Sequence, residues 1–265
     1  MKFIIILGID TATKISSVAL IDVNFDVPRE TLNLTNIKSD IIILSEIHSG
    51  GNISHSENLC PMVARVLTTA GIKLSDVNLF AVTVGPGSFT GIRIGVSLVK
   101  GLAYGSDNNC IGVSSLHALA YNFSGFKSEN SDIKNIFISP VIDARRKQVY
   151  NAIFKLSSDG KICCVKKDRI ITVSELETEL NSEDEFADSD IIFIGDGTDM
   201  CCNEIKLARA NKIRAGDILR QPNASSVCRL AVSELQKGNK AIHPRILSPS
   251  YLIKTQAEKE LSEGK

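Results

Sequence analysis

Residues 85–105 read GPGSFTGIRIGVSLVKGLAYG, a glycine-proline-glycine turn that runs straight into a helix carrying Gly91, Gly95, Gly101 and Gly105. Each helical glycine costs roughly 0.8–1 kcal/mol against alanine, so the element gives up about 3–4 kcal/mol of propensity and needs packing to hold it. At about 100° per residue, Gly91, Ile94, Gly95, Leu98, Leu102 and Gly105 share one face, with Arg93 and Lys100 opposite. A notched apolar face admits a close neighbouring backbone, either from a helix of the same chain or from another chain. Upstream, LFAVTV (79–84) has strand length, Gly85 and Gly87 bracket the turn, and Ser88 is the expected N-cap. A strand, a glycine turn and a helix can offer N–H groups to an anion, yet neither standard phosphate-loop spacing is present.

Working outward, Phe3 to Ile9 is a continuous apolar run suited to a central strand, ended by the polar turn Asp10-Thr11-Ala12-Thr13. Ser16 to Val23 returns as a second strand. Asp10 is either a turn-capping residue or a nucleotide contact, since Ala12 stands where a phosphate-wrapping turn needs glycine. An enlarged loop, Phe25 to Asp40, precedes the strand Ile41 to Ile47. Ser54-His55-Ser56-Glu57 has the capping-box spacing, and Leu59, Met62, Val63, Val66 and Leu67 follow at helical spacing. This predicts a helix over His55 to Ala70, bent at Pro61 and stopped by Gly71.

The second half repeats the order loosely. Strand Cys110 to Val113 leads to helix Ser115 to Phe123, a polar excursion Gly125 to Asn135, and a hairpin of Ile136–Ile142 and Val149–Leu156 around Asp143-Ala144-Arg145-Arg146. Ile162 to Thr172 extends the sheet, Ser174 and Glu177 cap a short helix, and strand Ile191 to Ile194 ends in a second glycine turn, Gly195-Asp196-Gly197. Asn223 caps a helix over Ala224 to Lys237. The expected units are residues 1–108, 109–243 and 244–265, the last an extended segment and an exposed charged helix after Lys254. Mixed sheets covered by helices make the fold class α/β.

Thirty basic and thirty acidic residues leave no net charge, so a free-standing nucleic-acid binder is not indicated. The stretch Glu204 to Arg220, with five basic and two acidic side chains, is the local exception; a solvated face or an RNA contact would explain it. Seven cysteines without a CxxC, and an opening apolar run too short for a secretory or membrane segment, point to reduced thiols in a cytoplasm. His48, His55, His117 and His243 include no i,i+4 pair, so no metal site is expected. No GxSxG elbow occurs, and no catalytic residue is named.

Seven stretches in order, ILGIDTATKISSVAL (6–20), HSENLCPMV (55–63), VGPGSFTGIRIGVSLVKGLAYG (84–105), IGVSSLHALA (111–120), VIDARRKQVYNAIF (141–154), FIGDGT (193–198) and SYLIKTQAE (250–258), resemble the bacterial TsaB (YeaZ) family of tRNA threonylcarbamoyladenosine biosynthesis. The resemblance spans nearly the whole chain, and GPGSFTGIRIG is its most specific part. It implies two related lobes of the actin-like ATPase (ASKHA, ribonuclease H-like) fold. It also implies a non-catalytic subunit that binds a TsaD-type transferase, which modifies the adenosine next to the anticodon in tRNAs reading codons that start with A. A TsaE-type ATPase would join the complex, tRNA would be reached through it, and the chain alone would form a homodimer. On this resemblance the partner or dimer interface would involve His55, Leu59, Met62, Val66, Gly91, Ile94, Gly95, Leu98 and Leu102. Asp10, Thr11, Gly85, Gly87, Gly195, Asp196 and Gly197 would lie nearest any nucleotide. No cofactor is expected on this chain alone, although ATP or ADP could sit at the complex interface. The chain departs from the family in the longer stretches 25–40 and 125–135 and in Ile253, where relatives often carry arginine. Two other readings stand beside this one: a stand-alone ATPase or small-molecule kinase of the same superfamily, and direct tRNA binding by Glu204 to Arg220.

Overall fold

The apolar run at the start of the chain becomes β1 (Lys2–Asp10), paired antiparallel with β2 (Ser16–Phe25), which pairs antiparallel with β3 (Ser39–Ser49). On its other side β1 pairs parallel with β4 (Leu79–Gly85), and β4 with β5 (Asn109–Ser114). The structure is a computed structural model describing residues 2–25, 39–50, 54–126 and 135–252. The expectations for most of the stretches 25–40 and 125–135, for Ile253 and for a helix after Lys254 lie outside those residues.

The second lobe repeats the first. Its hairpin of β6 (Ile136–Arg145) and β7 (Gln148–Leu156) continues antiparallel to β8 (Ile162–Thr172), while β6 pairs parallel with β9 (Asp190–Ile194), and β9 with β10 (Asn211–Arg214). The two sheets run β3-β2-β1-β4-β5 and β8-β7-β6-β9-β10, one topology twice. These are the two related lobes of the actin-like fold, with mixed sheets and helices.

Period-two alternation in β1 divides its side chains between two cores. Leu7 and Ile9 meet α1 (His55–Ala70) and α2 (Phe89–Gly105), which share one face of the first sheet. Ile6 meets α6 (Ala224–Gln236) on the other face. Between the lobes, α3 (Ser115–Ala120) sets Leu116, Leu119 and Ala120 against Ile138, Ile142 and Phe154 of the second sheet. The far face of that sheet carries α4 (Val173–Ser182) and α5 (Thr198–Glu204).

This placement moves the expected lobe boundaries. Residues 109–114 complete the first sheet, and α6 returns from the second half of the chain to cover it, because a sheet apolar on both faces needs both covered. The described part of the third unit is a strap on the first lobe: Leu247 is buried, and the Lys100 ammonium donates to the Leu247 carbonyl at 3.1 Å.

Several local expectations change as well. Ser54 makes no side-chain cap to α1, because its hydroxyl meets Ser56 Oγ at 3.0 Å instead. The capping box of α4 is Thr172 with Glu175, two residues earlier than the expected Ser174 and Glu177. Asn223 precedes α6 without capping it; Glu46 of β3 does so across the fold, accepting from the Ser225 N–H at 3.0 Å and its hydroxyl at 2.7 Å. Helix α1 runs unbroken through Pro61, and Gly71 closes it at φ 68°.

Candidate functional site at the interlobe cleft and the helical face

In each lobe two turns point to the same end of the sheet: the one between the first two strands and the one after the fourth. In the first lobe they are Asp10 to Ile15 and Gly85 to Ser88; in the second, Ala144 to Lys147 and Gly195 to Gly197. The four turns face one another across a cleft of about 530 Å³, a size suited to a small molecule or one nucleotide. The first lobe contributes Thr13, Lys14, His55, Gly87, Ser88, Phe89 and Thr90; the second contributes Asp143, Arg145, Tyr150 and Asp196.

The first-lobe turns are tied together. The Ser88 N–H donates to the Ala12 carbonyl at 2.7 Å, and a Cβ on Gly87 would overlap that carbonyl. Ser88 Oγ caps α2 through the Gly91 N–H at 3.2 Å, as expected. The His55 ring lies 2.9 Å from the Thr13 carbonyl through Nε2, which must be the protonated nitrogen because a carbonyl only accepts. Asp10 lies beneath, 1% exposed, accepting from the Ala12 N–H at 2.9 Å and the Thr83 hydroxyl at 3.1 Å. Burial pushes its carboxyl up to about 6, against the pull of those two donors and of His55.

Of the seven residues expected nearest a nucleotide, only Gly87 and Asp196 line the cleft. Asp10 and Thr11 are sealed in the core. Gly85 lies under the C-terminal strap, where a Cβ would come within 2.5 Å of the Ser250 carbonyl, and Gly195 and Gly197 press against the Val141 carbonyl. Asp196 accepts from the Asp143 N–H at 2.9 Å. Loss of hydration raises its carboxyl above the ordinary value, the Asp143 N–H and Lys14 lower it, and the Asp143 carboxylate adds to the rise. Sequence reasoning passed over Lys14, Phe89, Asp143 and Arg145. The signal was the internal repeat, which puts Asp143 in β6 near the place Asp10 holds in β1.

The helical face also differs from the sequence expectation. Leu59, Met62 and Val66 are core residues that anchor α1 to the sheet. The expectation that Gly91 and Gly95 admit a helix of another chain is corrected: a Cβ on Gly91 would overlap the Thr11 carbonyl, and one on Gly95 the Thr11 hydroxyl. The notch is filled from within the chain by the β1–β2 turn. His55, Ile94, Leu98 and Leu102 are half-buried along its edges. The outward surface instead carries Cys60, Ala64 and Thr68 on α1 and Ser97, Gly101 and Gly105 on α2, with Arg65, Arg93 and Tyr104 exposed beside them. A Cβ on Gly101 or Gly105 would meet nothing within 4 Å.

The basic stretch Glu204 to Arg220 is largely paired. Asp199 of α5 accepts from Arg214 at 2.8 Å and Arg220 at 2.9 Å, Asp217 lies 3.1 Å from both, and Arg209 reaches Asp184 at 2.8 Å. Lys212 donates to the Ile205 and Cys202 carbonyls. The four histidines lie apart, on β3, at the start of α1, in α3 and before the C-terminal strap. Among the described residues, no three His, Cys, Asp or Glu side chains group as metal ligands, and no helix is long and apolar enough to cross a membrane.

Comparison with known proteins places the chain. A family model described as "TsaD: tRNA N6-adenosine threonylcarbamoyltransferase" matches residues 49–261. The chain is 35% identical over 161 residues to the tRNA threonylcarbamoyladenosine biosynthesis protein TsaB of Escherichia coli, covering 58% of this chain and 57% of that one. It is 29% identical over 240 residues to the protein of the same name from Bacillus subtilis, covering 90% and 96%. A crystal structure from Pseudomonas aeruginosa, described as similar to peptidase YEAZ, superposes with a TM-score of 0.69 at 24% identity, over 94% of this chain and all of that one. At that identity the likeness speaks for the fold.

Proposed function

The chain belongs to the TsaB (YeaZ) family, within the wider family of TsaD-type proteins, and from this premise we propose that it acts in tRNA threonylcarbamoyladenosine biosynthesis as a non-catalytic subunit. Its partner is a TsaD-type transferase, a TsaE-type ATPase joins the assembly, and tRNA is reached through the complex in the cytoplasm. The observation that supports the partner role is the outward surface of α1 and α2, where the small residues Ala64, Thr68, Ser97, Gly101 and Gly105 are exposed and a Cβ on either glycine would meet nothing within 4 Å. Small residues on adjacent helices let partner helices approach closely, and dispersion then accumulates over the contact. The same surface serves a second copy of the chain when the transferase is absent. Any ATP or ADP belongs to the assembled interface, because Asp10 is sealed in the core and the Ser88 N–H is engaged by Ala12. The same two facts count against the stand-alone kinase.

Gly101→Leu tests the proposal, since a Cβ at this exposed position meets nothing within 4 Å of its own fold. Co-expressed with its TsaD-type partner, the variant should melt no lower than the parent yet lose co-purification and, with the TsaE-type ATPase present, tRNA modification. A folded variant that binds and modifies normally would place the interface elsewhere.

A further inference from the structure

Glu204 to Arg220 is largely paired, whereas cations without an ion pair among the described residues stand at the cleft. Lys14 and Arg145 line the cleft from opposite lobes, and Arg146 follows Arg145 at the tip of the β6–β7 turn. Among the described residues, neither guanidinium has an ion pair or a side-chain hydrogen bond. The turn is unusual for its sequence. Arg145 and Gln148 pair across it, Arg145, Arg146 and Lys147 have φ of 67°, 52° and 59°, and Lys147 pairs with Glu204 at 3.3 Å. Positive φ suits Asn and Gly in hairpin turns, and each of these three side chains is held against its preference. The chain thus sets cations at the tip at a local conformational cost.

The floor of the cleft has the opposite chemistry. Asp143 and Asp196 offer carboxylate oxygens, and the Tyr150 side chain joins them. On the first-lobe wall Phe89 is 44% exposed, and the Arg93 guanidinium lies 3.7 Å from its centroid while bonding the Tyr251 hydroxyl at 2.7 Å. The ring is held by its neighbours and still presents open surface. Acceptors inside, cations at the lip and an aromatic surface beside them match one unstacked nucleotide of a strand: hydroxyls on the carboxylates, base on the ring, flanking phosphates on the cations.

We propose that the interlobe cleft takes one unstacked ribonucleotide of an RNA strand, with Phe89 stacking the base, Asp143 and Asp196 accepting from the ribose hydroxyls, and Lys14, Arg145 and Arg146 holding the flanking phosphates. An RNA strand fits better than a free nucleoside triphosphate, because the cations stand at the open lip and the carboxylates would repel a triphosphate tail drawn inward. The proposal rests on the tRNA-linked function above and adds a direct contact to it.

The test is fluorescence anisotropy of the full-length chain with a labelled single-stranded 12-nucleotide RNA over a series of salt concentrations, with melting curves for every variant. The parent should bind with a salt-dependent Kd, and more tightly than it binds DNA of the same sequence. Lys14→Ala/Arg145→Ala/Arg146→Ala should flatten the slope of log affinity against log salt by about 2, at roughly 0.7 per lost phosphate contact on a single strand. Phe89→Ala should weaken binding about tenfold or more with the slope unchanged. Equal binding by parent and triple variant, absence of RNA binding by the parent, or displacement of RNA by ATP with the same residue dependence would each overturn the proposal. Co-purification of the triple variant with the TsaD-type partner, measured in parallel, reports separately on the subunit role. Its loss in the parent chain would sink that reading while leaving the RNA titration to decide this one.

Discussion

Two glycines of α2, ten residues apart in sequence, should respond to the same substitution with opposite signs. Gly91→Ala adds a Cβ that overlaps the Thr11 carbonyl and lies 3.3 Å from His55 Cδ2. The carbonyl cannot yield locally, because the next residue's carbonyl is bonded to the Ser88 N–H and Asp10 holds the Ala12 N–H. Relief requires α2 to back away from the turn, loosening Ile92 and Val96 in the core. Overpacking of this kind costs about 1–3 kcal/mol, and the propensity gain of replacing glycine is at most about 1 kcal/mol. The net loss is about 2 kcal/mol at the upper end, a fall of roughly 4–8 °C in Tm for a chain of this size. Gly101→Ala meets nothing and keeps the whole gain, a rise of about 2–4 °C. Thermal melting by circular dichroism, at concentrations low enough to suppress self-association, measures both. If Gly91→Ala melts at or above the parent, the β1–β2 turn does not fill the notch, and the assignment of these glycines to an internal contact is wrong.

Three further outcomes follow from the structure. Glu46→Gln weakens the long-range cap of α6 and should cost about 1–2 kcal/mol in urea unfolding; an unchanged midpoint would mean that another group caps the helix. Gly8→Ala would drive a Cβ into Cys228 Sγ and to 2.6 Å from the Ala224 carbonyl, so it should destabilise by about 3 kcal/mol or more, read as a lower urea midpoint or loss of soluble chain. The folded chain keeps Asp10 protonated up to about pH 6, whereas the unfolded chain releases that proton near 3.8, so stability falls as pH rises through this window, by roughly 3 kcal/mol in full. Asp168 and Asp196, also raised, act in the same direction. Asp10→Asn keeps an acceptor for Ala12 and Thr83 and should flatten the urea midpoint between pH 4 and pH 6; an unchanged slope would show that Asp10 ionises freely in the fold.

Sequence alone determined whatever depends on neighbours along the chain. Period and composition were enough for β1, β8 and α1, for the Ser88 cap and for the Gly71 stop, because strand pleat, helix turn and capping act within a few residues. The order of elements was legible too, and with it the repeated lobes. Tertiary structure decided which groups meet. Glycines 91 and 95 look like an open notch on a helical wheel, but the wheel does not show that Thr11, eighty residues earlier, fills it. Five cations in one stretch look like a basic patch until Asp184 and Asp199, contributed from outside that stretch, pair with three of them. The helix cap from Glu46 spans 179 positions, and the cleft joins turns from both halves of the chain. Such contacts are set by how two sheets and their helices close on one another, and burial rewards that closure without leaving a short-range mark in the sequence.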